Sequence, residues 1–199
     1  MEHDAEHSGG HDDGSTTRNK RVALLIAVIA LFLAFSETLG KSAQTAALNY
    51  QIEASNLWNF FQAKNIRRTA TIVAAESAKL DLAGNVEDAR KAALTKQIDD
   101  WTKTAARYQS EPEAAGGKGE GTRELSRRAL EEQEKRDVAL AKYHHYEVAS
   151  AAFQIGIVLA SATVITGMVA LSFLAGALGL IGIGFMAIGL FAPHAVHLF

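Results

Sequence analysis

No Asp, Glu, Lys or Arg occurs between Val148 and Phe199. Most of that stretch is Ala, Gly, Val, Ile, Leu and Phe. A transmembrane helix needs about 20 mostly apolar residues to cross a hydrocarbon layer about 30 Å thick. Residues 148–199 are long enough for two such helices. The tail therefore reads as a membrane hairpin, with helices over about 149–170 and 174–192 and a tight connection near Leu171–Leu174.

A second apolar run lies near the other end. Val22 to Phe35 carries no polar residue. It continues through Ser36, Glu37, Thr38, Leu39 and Gly40 to Lys41. A crossing over 21–40 leaves Glu37 near the far interface, where a carboxylate is tolerated. The basic flank and 14-residue apolar core also fit a cleaved signal peptide. The long acidic tail before it and the lack of a small-x-small junction argue against cleavage.

These segments explain a mean hydropathy of only +0.03. The value averages two lipid-like regions with a charge-rich stretch over residues 41–147. Cysteine is absent, which excludes disulfides, thiolate metal sites and cysteine nucleophiles. A net charge of -2, with no basic face carrying interleaved aromatics, argues against a nucleic-acid partner. No spacing of acid, base and nucleophile suggests an enzyme, and no cofactor motif is present.

Residues 1–20 form a His- and Asp-rich tail too polar to bury a core, and disorder is expected there. Between the first crossing and the hairpin the pattern is helical. From Lys41 to Ala83 there is neither Gly nor Pro, enough for a rod of roughly 60 Å. Leu48, Ile52, Trp58, Ile66, Val73 and Leu80 gather on one side of it. Tyr50, Leu57, Phe60, Phe61 and Ile72 gather on the other. A helix with two apolar faces is expected to be covered on both, one by its own chain and one by a second protomer.

Gly84 and Asn85 end the rod, and Asn85 with Asp88 resembles a capping box for a helix over about 86–109. Leu94, Ile98, Trp101, Ala105 and Tyr108 give that helix an apolar stripe. Pro112 and four glycines make residues 110–122 a flexible loop. Thr122 is placed to cap a helix over about 123–147, which carries i,i+4 charge pairs such as Arg127–Glu131. The whole reads as an all-α integral membrane protein. It has three transmembrane helices and a long helical-hairpin, coiled-coil-like soluble domain between the first and second.

The run from Asn19 to Thr69, with its Ser36-Glu37-Thr38 exit and its Asn56-x-Trp58-x-x-Phe61-Gln62 patch, carries a resemblance. It resembles a bacterial membrane-protein family catalogued as domain of unknown function number four-three-three-seven. The His-bearing tail and paired terminal spans extend the likeness over most of the chain. The resemblance implies a small multi-pass protein of the bacterial inner membrane with a helical insert. It brings no catalytic residues.

Several residues stand out as candidate sites. His3, His7 and His11 are four apart, the spacing of a one-faced metal site on a helix, although Gly9-Gly10 opposes a helix there. The bland reading is a solvated tail. Glu37 is the one acid between Val22 and Lys41. In an oligomer it would ring a pore mouth and select cations; the bland reading is an interfacial carboxylate paired with Lys41. Asn56, Trp58, Asn59, Phe61, Gln62, Lys64, Arg67 and Arg68 form either a partner surface or intrachain core with a basic fringe. Gly156, Ala160 and Gly167, with Gly179 and Gly182, mark seams where helices pack closely in lipid. His144 and His145, and His194 and His197, read as anchors at the membrane boundary.

The leading expectation is a non-enzymatic inner-membrane protein that self-associates or serves as scaffold or accessory subunit in a membrane complex. An oligomeric ion channel with Glu37 at its mouth is the alternative, and metal handling by the His tail is a second. Arg18, Lys20 and Arg21 favour a cytoplasmic N-terminus, which puts the helical domain and the C-terminus in the periplasm. Lys135, Arg136 and Lys142 pull the other way.

Overall fold

A computed structural model describes residues 13–195, which are helices and short connections. The order is α1 (Asp13–Leu82), α2 (Asp88–Gln109), α3 (Ala114–Gly117), α4 (Thr122–Thr166) and α5 (Val169–Phe191). Three of them, α1, α4 and α5, are long and apolar enough to cross a membrane. The chain divides into two compact units. Among the described residues, one comprises 13–47 and 137–195, the other 48–136.

In the first unit α1 runs antiparallel to α4, and α5 returns beside both. Val22 meets Ala160 and Ala175, with Leu25, Ile26 and Leu159 around them. Farther along, Ile29 meets Ala149 and Phe153, among Phe32, Ile157, Ile183 and Met186. The buried positions of α4 include 149, 153, 156, 160 and 163. Those of α5 are Ala175, Gly179, Gly182 and Gly189. The α4 series advances by threes and fours, and so does that of α5 with half-buried Met186 between Gly182 and Gly189; each helix thus offers one narrow strip, of small residues apart from Phe153 and Met186. The outward residues are large and apolar, among them Leu24, Leu31, Phe35, Val158, Phe173 and Leu180. A bundle whose outside is greasier than its seams is the inverse of a water-soluble one.

Gly182 shows why small residues are needed. A Cβ there would lie 2.6 Å from Cε1 of Phe153. Phe153 is fully buried and stacks on Phe32 with centroids 6.1 Å apart, so its ring has nowhere to retreat.

The α4–α5 connection lies at Gly167 and Met168, not at Leu171–Leu174. Gly167 has φ 72°, a left-handed value that glycine adopts without strain. Its N–H bonds to the carbonyl of Thr163 and so closes the helix. Gly167 therefore leaves the packing seam in which its spacing placed it. Periodicity could not reveal this, since a helix-ending glycine and a seam glycine look alike when their spacing coincides. At the other end the described residues are helical from Asp13 on, so residues 13–20 differ from the disordered tail expected of them.

In the second unit α2 and the first turns of α4 lie end to end along α1, both antiparallel to it. The buried or half-buried positions of α1 include Ala54, Leu57, Phe61, Lys64, Arg68, Ala75 and Ala78. The stripe of α2 faces them: Ala105 is buried, and Leu94, Ile98, Trp101 and Tyr108 are half-buried. Leu57 then packs with Leu125 and Ala129 of α4, flanked by Trp58 and Phe61. The Asn85–Asp88 capping box does not form: α2 starts after Glu87 without a side-chain cap.

Gly182→Ala forces Phe153 off its seat. It should lower stability by about 1–3 kcal/mol, the usual cost of overpacking. Unfolding of the detergent-solubilised protein measures this, with Gly176→Ala, where nothing lies within 4 Å, as the neutral reference.

Candidate functional site

The polar side chains that the packing draws together lie in two places, one in each unit. In the second unit the loop after α2 folds onto α1. Lys64 occurs at a buried position of α1, so its ammonium needs partners inside the structure. It donates a hydrogen bond to Oε2 of Glu111 at 3.3 Å and lies 3.6 Å from Oε2 of Glu120. Its Nζ also stands 5.3 Å from the centre of the Phe60 ring. Nearby, Nη2 of Arg68 donates to Oε1 of Gln109 at 2.9 Å.

Glu124, in the first turn of α4, organises the same loop from the other side. Ser110 Oγ donates to its Oε1 at 2.6 Å, and the Glu111 N–H donates to its Oε2 at 3.2 Å. Gly119 has φ 78°, and a Cβ there would stand 2.5 Å from Cγ of Glu124. Arg128 closes the loop by donating to the Gly119 carbonyl at 3.2 Å. Burial pushes the Glu124 carboxyl up, but the Ser110 and Glu111 hydrogen bonds, with Arg123 nearby, hold it below its ordinary value of 4.5.

The loop expected to be flexible is therefore tied by side chains at both ends. Its own backbone bonds include Glu120 N–H to Glu111 O and Gly119 N–H to Ala114 O. Thr122 does not cap α4; it is the helix's first residue, and its hydroxyl donates to the Gln109 carbonyl at 3.4 Å. The chemistry of this cluster is positional. Its acids are engaged by Lys64, Ser110 and backbone N–H groups.

The distinctive patch on α1 splits in two. Trp58 and Phe61 pack inward, edge to face with centroids 5.3 Å apart, and Arg68 is half-buried. Asn56, Gln62 and Arg67 are exposed. The two apolar faces of α1 also separate. Leu57, Phe61 and Ile72 are covered by the chain's own helices, but Phe60 of that face is 40% exposed, and Trp58, expected on the opposite face, packs inward. Leu48, Ile52, Ile66, Val73 and Leu80 are left open, Ile66 at 69% and Leu80 at 77% exposure.

In the first unit the polar contacts join helices. Ser36 is fully buried, and its hydroxyl donates to the Tyr146 carbonyl at 2.9 Å. His145 is not a boundary anchor. It is 1% exposed, beside Phe185 at 6.2 Å. Its Nε2 lies 3.0 Å from the Pro193 carbonyl. A carbonyl only accepts, so Nε2 carries the proton, and Nδ1 is buried without a partner. Glu37 stands on the outer face, where Nε2 of Gln154 donates to its Oε1 at 3.3 Å. The carboxylate thus meets Gln154 rather than the Lys41 that i,i+4 spacing offers. Side chains lean toward the N-terminus of their own helix, so on antiparallel helices these two lean toward each other.

Gly156 and Ala160 are buried and share the α1-facing strip of α4. Gly156 lies against Ala175 and Ile29, and Gly179 against Ile29. His3, His7, His11 and His197 lie outside the described residues. Among the described residues no three His, Asp or Glu stand close enough to hold a metal ion. Sequence reasoning missed Ser36, His145 and Glu124 as joints. Lys64 stood in the distinctive patch, in phase with Leu57 and Phe61 on the buried side.

A family model described as Domain of unknown function (DUF4337) matches residues 18–192. No curated protein and no solved structure matches the chain.

A folded-state carboxyl held below 4.5 adds stability that is present above that value and is lost as pH falls through the lowered one. Protection of the amides over 110–121, taken relative to the intrinsic exchange rate at each pH, should therefore be high at neutral pH and fall once the pH drops below the ordinary carboxylate range. Glu124→Gln should show low protection in both pH regimes. Equal protection in the two proteins at neutral pH would show that Glu124 does not hold the loop.

Proposed function

We propose a structural role, in membrane-bound self-association, for this chain, which belongs to the family described as Domain of unknown function (DUF4337). On this reading it is a three-span protein of the bacterial inner membrane. Its unit over residues 48–136 is a helical module outside the bilayer, and it serves as a scaffold or accessory subunit without catalytic activity.

The observation that carries self-association is the open apolar face of α1. Soluble monomers rarely leave a long row of large apolar side chains to water, and such rows mark interaction surfaces. The unit offers little core to spare, since along most of α1 only one helix covers it at a time. Membrane residence is supported by the first unit. Its large apolar residues point outward, and Val22 to Gly40 covers about 28 Å, the thickness of a hydrocarbon core.

The orientation follows from the basic residues. Arg18, Lys20 and Arg21 precede the first apolar run. The turn at Gly167 belongs to the same end, where an added Cβ would lie 3.9 Å from Nη2 of Arg18. The positive-inside rule puts this end in the cytoplasm. The module over 48–136 is then periplasmic.

Two measurements test the reading. Protein extracted in mild detergent should remain oligomeric on dilution, by light scattering or native mass spectrometry. A monomer at every concentration, with nothing co-purifying, overturns self-association. A reporter inserted after Gly117, around which nothing crowds, should report a periplasmic location. A cytoplasmic signal reverses the orientation.

A further inference from the structure

We infer that a second copy of this chain packs along the open face of α1, parallel and in register. The inference rests on the self-association reading and specifies its geometry. The open face is more regular than its large residues alone suggest. Ile52, Asn59, Ile66, Val73 and Leu80 follow one another at seven-residue intervals. Between them, alternately three and four residues away, come Asn56, Ala63, Ala70 and Ser77. All nine are exposed.

A stripe that repeats every 3.5 residues runs straight only when its helix winds around another helix of the same repeat. The occupant is therefore a helix with a matching stripe at least four heptads long. The buried seam of α1 already uses the same three-and-four spacing toward α2 and α4. Over residues 48–136, the strongly exposed large apolar residues are Leu48, Ile52, Phe60, Ile66, Val73, Leu80 and Leu130. All but Leu130 belong to α1. Within this unit the matching stripe is thus α1 of another copy.

The membrane settles the direction. Copies inserted with one topology present α1 with one polarity, so two such stripes meet parallel. A two-fold parallel pair sets each residue against its own counterpart. Asn56 then faces Asn56 of the second chain, and Asn59 faces Asn59, where amides can hydrogen-bond to each other. A slip of one heptad would set Asn59 against Ile52 or Ile66 and bury an unsatisfied amide. Polar residues at such positions fix register and oligomeric state in paired helices. From Ile52 to Leu80 the stripe is about 42 Å long, a scale on which paired helices bury the ~1,600 Å² typical of a stable interface.

The chain lacks cysteine, so single cysteines can test this in the full-length protein reconstituted into lipid nanodiscs. Under mild oxidation most of Ile52→Cys, Ile66→Cys and Val73→Cys should become disulfide-linked dimer. Asn65→Cys, one residue off the stripe, should remain mostly monomeric on denaturing gels. Val73→Glu should dissociate the dimer while keeping the helical circular dichroism of the parent. An antiparallel pair would cross-link at most one position near its centre, so failure at both Ile52 and Val73 overturns the inference. Equal cross-linking of Asn65→Cys overturns it as well. If cross-linking fails while light scattering still finds an oligomer, the seam is wrong and self-association stands. If the parent is monomeric, both fall.

Discussion

Phe153 occupies the space that Gly182 leaves empty, and the arrangement of three helices depends on that fit. Ile29 of α1 reaches the same region through its neighbours Gly156 and Gly179. A large residue on one helix thus meets an absent side chain on another. Close backbone approach adds dispersion between the helices, the kind of contact that holds helices together where burying hydrocarbon gains nothing. Side chains of ordinary size along those strips would hold the axes apart. Ser36 then adds a directional contact at one end of the bundle, and the His145–Pro193 bond ties the end of α5 to α4.

The second unit is held together differently. Here apolar stripes are covered as in any water-soluble helix pair, and charge does the positioning. Lys64 stands where a stripe residue would ordinarily be apolar, and its burial is tolerable because Glu111 and Glu120 come to it. Glu124 holds the other side of the loop through Ser110 and a backbone N–H. These contacts convert a Gly-rich connection into a joint that lets α2 hand the α1 seam to α4. The cover is one helix deep, which is why the opposite face of α1 stays open.

Much of this was legible in residue spacing. The three apolar helices, the inward stripe of α2, the i,i+4 pair Arg127–Glu131 and the two-faced character of α1 all follow from periodicity and composition. The misplacements have separate causes. Gly167 reads as a seam residue because its spacing continues that of Gly156 and Ala160. Its left-handed backbone, which ends α4, leaves no mark on spacing. Thr122 has the chemistry of a cap, but Gly121 before it lets the chain enter the helix one residue sooner. The loop over 110–122 read as flexible because Gly and Pro report local freedom. They do not report a carboxylate that arrives from the next helix.

What the sequence determined by itself is the material of each segment: which stretches suit lipid, which suit water, and which face of each helix is apolar. Those properties are local, set by side-chain chemistry and helical repeat. Tertiary structure alone decided which of the two apolar faces of α1 is covered, that Glu37 meets Gln154 instead of Lys41, and that His145 lies inside. Each of those outcomes depends on residues far apart in the chain, such as Ser36 and Tyr146, and no local pattern records their meeting.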